Sequence, residues 1–128
     1  MIIAFAWTTP ALLAGAKTMT RRDWTFGHAR KFHADDVVDA WDQTPRVRGA
    51  SQVATIRLTC DPYRTTAGFL SRDDYVREGF EWLAAHGHQP TVERVMANWA
   101  MHPREVWVVE FQLIGPVVAG RADLRVVD

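Results

Sequence analysis

A small curled β-sheet or barrel with helices inserted between its strands, an α+β domain, is expected for this chain on three grounds. Apolar, β-rich stretches recur from one end to the other, at residues 1–7, 37–41, 53–60 and 106–114. Helical signals with their own caps fall between them, at residues 8–15, 71–87 and 91–100. Finally, 128 residues bury one core and not two, so a single domain over residues 1–128 follows. Strands and helices interleaved in so short a chain belong in shared layers rather than in separate α and β units.

Each element has its own signal. Met1-Ile2-Ile3-Ala4-Phe5-Ala6-Trp7 reads as a buried first strand; it has no basic n-region and is too short for a signal peptide. Thr9 caps the following helix, Pro10 suits its first turn, and Gly15 ends it. A basic stretch opens a second strand, and a polar segment with His28 and His33 runs to Asp36. Val37 to Trp41 form a short strand, and Pro45 and Gly49 mark a turn after it. In 53–60, Ile56, Leu58 and Cys60 alternate with Thr55, Arg57 and Thr59, and Asp61-Pro62 breaks the run. Ser71 starts a helix with Asp73 and Asp74 in its first turn, and Gly87 lies beyond its end. Gly79 in its interior either admits a close approach or divides it in two. In 91–100, Val92, Val95, Met96 and Trp99 are spaced to face a core. The strand 106–114 is the strongest in the chain, Pro116 stops it, and 124–127 offer a final edge strand.

Composition narrows the function classes. No stretch approaches the ~20 apolar residues that span a bilayer, so no membrane partner is expected. One cysteine, Cys60, allows no internal disulfide; on its strand's apolar side it reads as core, and a cytoplasmic location is the default. The formal net charge is zero, yet residues 1–64 hold nine Lys/Arg against six Asp/Glu and residues 65–128 hold six against nine. The first half can therefore carry a phosphate- or RNA-binding patch, or simply a solvated basic face, while tight non-specific nucleic-acid binding is disfavoured. His86, His88 and His102 stand at no recognised ligand spacing, and neither a metal nor another cofactor is expected.

The sequence Gly15-Ala16-Lys17-Thr18-Met19-Thr20-Arg21-Arg22-Asp23-Trp24 is the candidate site. A glycine here turns the backbone through φ > 0, which lets Lys17 and Thr20 aim at one point although strand alternation alone would separate them. The stretch is either an ordinary basic loop entering a strand or a pocket with a nucleophile beside an amine. Trp7 and Trp24 flank it and are candidates for stacking a base, a contact worth about 1–3 kcal/mol. Trp99 and Trp107 read as core.

The pattern Gly15-x-Lys17-x-x-Thr20-x-Arg22 after a short helix resembles the signature of ASCH domains, which are PUA-like β-barrels. Arg77-Glu78-Gly79-Phe80 resembles the Glu-Gly-Phe segment of that family's middle helix, and Trp107-Val108-Val109-Glu110-Phe111 its closing strand. The resemblance covers roughly residues 2–114 and implies a PUA-like barrel with a cleft for RNA or a modified nucleoside. Small bacterial members are amidohydrolases that deacetylate N4-acetylcytidine with a lysine, a threonine and a glutamate. Carried over by motif position these are Lys17, Thr20 and Glu78, with Arg21 and Arg22 as basic residues of the pocket. The segment 25–52 and the helix 91–100 depart from the smallest enzymes.

The chemistry fits those residue types. A threonine hydroxyl is a weak nucleophile and needs a base in hydrogen-bond reach. A lysine serves as that base once its amine is neutral, which burial and nearby cations favour and an ionised Glu78 opposes. Glu78 would orient Lys17, and Arg22 or backbone N–H groups would stabilise an oxyanion. Two functions remain: an amidohydrolase acting on a small nucleoside substrate, and a non-catalytic RNA- or nucleotide-binding module using the same cleft. The resemblance also admits a ribonuclease as a further alternative, since a related ASCH member is reported to act as one. Oligomeric state is left open.

Overall fold

The computed structural model describes residues 1–68 and 70–117. Its secondary structure runs β1 (Ile2–Ala4), a 3₁₀ turn (Ala6–Thr8), α1 (Thr9–Leu13), β2 (Met19–Arg22), α2 (Phe26–Ala29), β3 (Val37–Trp41), β4 (Gln52–Leu58), β5 (Tyr63–Ala67), α3 (Arg72–Arg77), α4 (Phe80–Ala85), α5 (Thr91–Met101) and β6 (Arg104–Pro116). The strands form one curled sheet, a half-barrel, in the order β1-β3-β4-β6-β2, with β5 also paired to β6. Among the described residues, β1 and β3 run parallel and the other pairs are antiparallel. Register shifts at Ala40/Trp41 and Thr55/Ile56 supply extra bend and twist, which helps the sheet curl.

Two packed clusters hold this arrangement. The concave side of the sheet encloses Ile3, Phe5, Leu12, Phe32, Val38, Ile56, Leu58, Val109 and Phe111. The alternation read in β4 is the reason: Ala54, Ile56 and Leu58 point in and are fully buried, while Arg57 is exposed. The second cluster lies among α1, α4 and α5 and contains Ala11, Phe80, Leu83 and Val92. Fully burying one Leu- or Phe-sized side chain contributes about 1.5–3 kcal/mol, so the two clusters together fix how the helices sit on the sheet. Among the described residues, no helix is long and apolar enough to cross a membrane.

Several expectations change in detail. The first strand stops at Ala4, because Ala6 adopts φ 46 and the chain turns into the 3₁₀ segment instead of extending to Trp7. Ser71 does cap α3, accepting from the Asp74 N–H, but the helix expected over 71–87 is two helices. Gly79, at φ 85, separates them, and it also permits a close approach. Cys60 lies past the end of β4 and is half-buried, not core, since Leu58 is the last inward residue of that strand. Trp107 is half-buried beneath the guanidinium of Arg64, so it too is outside the packed core. The short elements α2 and β5 carry no clear apolar periodicity and were not expected. The edge strand anticipated at 124–127 lies outside the described residues.

Candidate active site

Three local features bring distant residues together. Gly15 closes α1 at φ 75, and the N–H groups of Ala16 and Lys17 both donate to the Ala11 carbonyl. The next residue is pinned from two sides: the Thr18 N–H donates to the Arg77 carbonyl at 2.8 Å, and the Phe111 N–H donates to the Thr18 carbonyl at 2.9 Å. Lys17 is thereby held against the end of α3, where Glu78 is the C-cap residue. Gly79 makes the contact possible. A Cβ at that position would stand 2.8 Å from the Ala11 Cβ and 3.0 Å from the Lys17 Cβ.

The Lys17 amine donates to both the main-chain carbonyl and the Oε1 of Glu78, each at 2.9 Å. Lys17 and Glu78 are each only 2 % exposed. Arg21 Nη1 donates to the other carboxylate oxygen, Oε2, at 2.7 Å, and its Nη2 donates to Asp74 Oδ2 at 2.7 Å. On β2, Thr20 and Arg22 share a face, and Arg22 Nε donates to Thr20 Oγ1 at 3.1 Å. Among the described residues, Lys17 makes no direct hydrogen bond to Thr20; the two meet only across the cleft they both line.

The charges set the state of the lysine. Burial is the largest influence and holds the Lys17 amine below its ordinary range; Arg22 and Arg21 push the same way, and Glu78 opposes them. Burial also lowers Arg22, to about 10, which leaves it a cation at neutral pH.

These groups occupy one end of a cavity of about 180 Å³. Its walls are Phe5, Trp7, Phe80, Val95 and Trp99, and the polar end holds Lys17, Thr20, Arg21, Arg22 and Glu78. Trp7 stacks on Phe80 with ring centroids 5.9 Å apart and planes 15° apart. The volume lies below the ~300–1,000 Å³ of drug-sized sites and suits one flat ring with a small substituent. Of the expected site residues, Lys17, Thr20, Glu78, Arg21, Arg22 and Trp7 all line this cleft. Trp24 does not: it stacks on Phe32 at 4.6 Å within the barrel cluster. Val95 and Trp99 were expected only as core, yet α5 lays both against the cleft. Their i, i+4 spacing marked a buried stripe without saying what it would cover.

Among the described residues, no group of three or more His, Cys, Asp or Glu is placed to hold a metal ion. His86 is engaged elsewhere, stacked on Trp82 at 3.8 Å with Nδ1 2.7 Å from the Trp82 carbonyl. No protein-family model matches the chain, and no curated protein or solved structure matches it.

Proposed function

We propose that the chain is a PUA-like domain of the ASCH type and an amidohydrolase that removes the acyl group from N4-acetylcytidine or a related N4-acylated cytidine or cytosine. One observation carries this reading: a buried lysine, held by two oxygens of Glu78, shares a small aromatic-walled cleft with the hydroxyl of Thr20. A binding pocket gains nothing from burying an amine whose protonated form is disfavoured; a site that needs a base does. The half-barrel and the position of the motif directly after the first helix support the family reading.

The substrate's base would lie against Trp7, with its acyl carbonyl towards Thr20. The neutral Lys17 amine takes the Thr20 Oγ proton, directly or through one water, as Oγ forms a bond to the carbonyl carbon. Arg22 stabilises the charge that develops on the carbonyl oxygen. Collapse of the tetrahedral intermediate breaks the bond from carbon to N4, and the proton on Lys17 passes to the departing amine. Water then adds to the carbonyl carbon of the threonine ester as Lys17 takes its proton; the carbon–Oγ bond breaks, Lys17 returns the proton to Thr20 Oγ, and the carboxylic acid is released. Glu78 keeps the amine in place throughout.

One specific observation favours a binding module instead. The Thr20 hydroxyl is engaged by Arg22 and not by Lys17, which is an adequate arrangement for recognition without cleavage. Lys17→Arg separates the two readings, because arginine can still donate to the Glu78 oxygens but offers no usable base near neutral pH. The expected result is nearly complete loss of cytidine release from N4-acetylcytidine, with binding retained. A variant within a few-fold of the parent rules out Lys17 as the base. A parent that binds acylated cytidines and never cleaves them makes the chain a binding module.

A further inference from the structure

The cleft does not end at Arg22. Residues directly opposed across antiparallel strands carry their side chains on one face, with Cβ atoms about 4.5–5.5 Å apart. Arg22 of β2 is opposed to Trp107 of β6, and Trp107 is opposed on its other edge to Arg64 of β5. The three form one row across three strands, cation, indole, cation, that leads from the cleft to the surface. The Arg64 guanidinium lies over the Trp107 ring at 5.1 Å from its centroid, which fixes an otherwise mobile side chain by a cation–π contact. Arg22 forms no salt bridge among the described residues; its Nε donates to Thr20 and its guanidinium lies over the Phe5 ring, 5.3 Å from the centroid. Two acids near the row are exposed, Glu105, 3.3 Å from Arg64, and Asp23, occupied by Arg104 at 3.6 Å; the buried Glu78, which also acts on Arg22, has its carboxylate held by Lys17 and Arg21.

We propose that this row is a phosphate-ester subsite, so that the substrate of the cleft is a phosphorylated nucleoside. The inference rests on reading the cleft as a nucleoside site. With the base in the cleft, the phosphate sits between Arg22 and Arg64. Their backbones are two strand spacings apart, roughly 10 Å, a gap that two arginine side chains close onto one anion. Arg64 leaves its weak, solvent-exposed pair with Glu105 to do so. Trp107 holds the guanidinium of Arg64 at the right height. The phosphate has two possible sources, a free nucleotide and a residue within single-stranded RNA.

The test compares N4-acetylcytidine, its 5′-monophosphate and a short single-stranded oligoribonucleotide containing N4-acetylcytidine, in the parent, Arg64→Gln and Trp107→Leu. Neither substituted residue lines the cleft. We expect the parent to prefer the monophosphate over the nucleoside by about tenfold in kcat/KM, the scale of one charge-assisted contact. Arg64→Gln should abolish most of that preference while leaving the nucleoside within about twofold, and should lower the log–log salt slope by about one. Trp107→Leu should lose part of it. A higher kcat/KM for the oligoribonucleotide than for the monophosphate identifies RNA as the source; the reverse identifies a free nucleotide. Equal kcat/KM for nucleoside and monophosphate in the parent overturns the subsite, as does an equal loss on both in Arg64→Gln. If nothing is cleaved, the amidohydrolase reading fails and calorimetric binding of cytidine and cytidine 5′-monophosphate decides the subsite separately. It stands if the parent prefers the monophosphate and Arg64→Gln does not, and falls otherwise.

Discussion

Gly79→Ala measures how tightly the site is built. The added Cβ meets two penalties. At φ 85 an alanine is in the left-handed region, which costs about 1–2 kcal/mol. The methyl would also lie 2.8 Å from the Ala11 Cβ and 3.0 Å from the Lys17 Cβ, and relieving such overlap costs about 1–3 kcal/mol. Against these stands a gain of about 0.4–1 kcal/mol from stiffening the unfolded chain. The net loss is about 2–4 kcal/mol, a fall in Tm of roughly 8–16 °C at about 4 °C per kcal/mol for a domain of this size. Gly87→Ala is the control: its φ is 90, but nothing lies within 4 Å of the new methyl, so it should lose only about 1 kcal/mol. Thermal unfolding of the two variants isolates the packing contribution. Function should fall further than stability, because the methyl pushes directly on Lys17. A displacement near 1 Å costs about 100-fold in rate, read as kcat for N4-acetylcytidine at a temperature where the variant is folded. Equal melting of the two variants with full activity in Gly79→Ala would refute the reasoning.

Two further expectations concern other groups of the site. Activity requires neutral Lys17, so kcat/KM should fall as the pH drops through the amine's pKa; since Glu78 raises that pKa, Glu78→Gln should move this acid limb to lower pH, and a limb displaced to higher pH would contradict the assignment. Trp7→Ala should raise KM about 5- to 100-fold, the loss of one stacking contact, whereas Trp24→Ala should leave KM unchanged and cost stability of about 2–3 kcal/mol; the reverse pattern would exchange their roles.

Much of the polar end of the site was legible because it is local. Lys17, Thr20, Arg21 and Arg22 lie within six residues, and the glycine that aims them is part of the same motif. Glu78 was legible only through the Glu-Gly-Phe resemblance, since a carboxylate at a helix end has no local feature that distinguishes it from a solvated one. The aromatic walls were less accessible. Trp24 follows the motif directly, yet two residues beyond Arg22 the chain has left β2 and turned its ring to Phe32. Trp99 belongs to an amphipathic stripe, and periodicity reveals that a face is covered, not whether a protein core or a cleft covers it. The strand β5, Tyr63-Arg64-Thr65-Thr66-Ala67, was missed because only Ala67 is buried; its partner in β6, and not its own pattern, makes it a strand.

The thirteen residues of β6 join β2, β4 and β5 into one sheet. That connectivity has a consequence in time. During synthesis, β1, β3 and β4 can pair as soon as they emerge, but β2, which carries Thr20 and Arg22, has only β6 as its partner among the described residues. Arg22 is paired to Trp107, 85 positions further along the chain. At about 5–20 residues per second, the ribosome takes roughly 4–17 s to cover that interval. Throughout it, the basic motif remains without its β6 partner and has no cleft to line. Pairings this distant in sequence are also the slow ones to form after release. The motif residues of β2 thus acquire their chemistry only once β6 has been made.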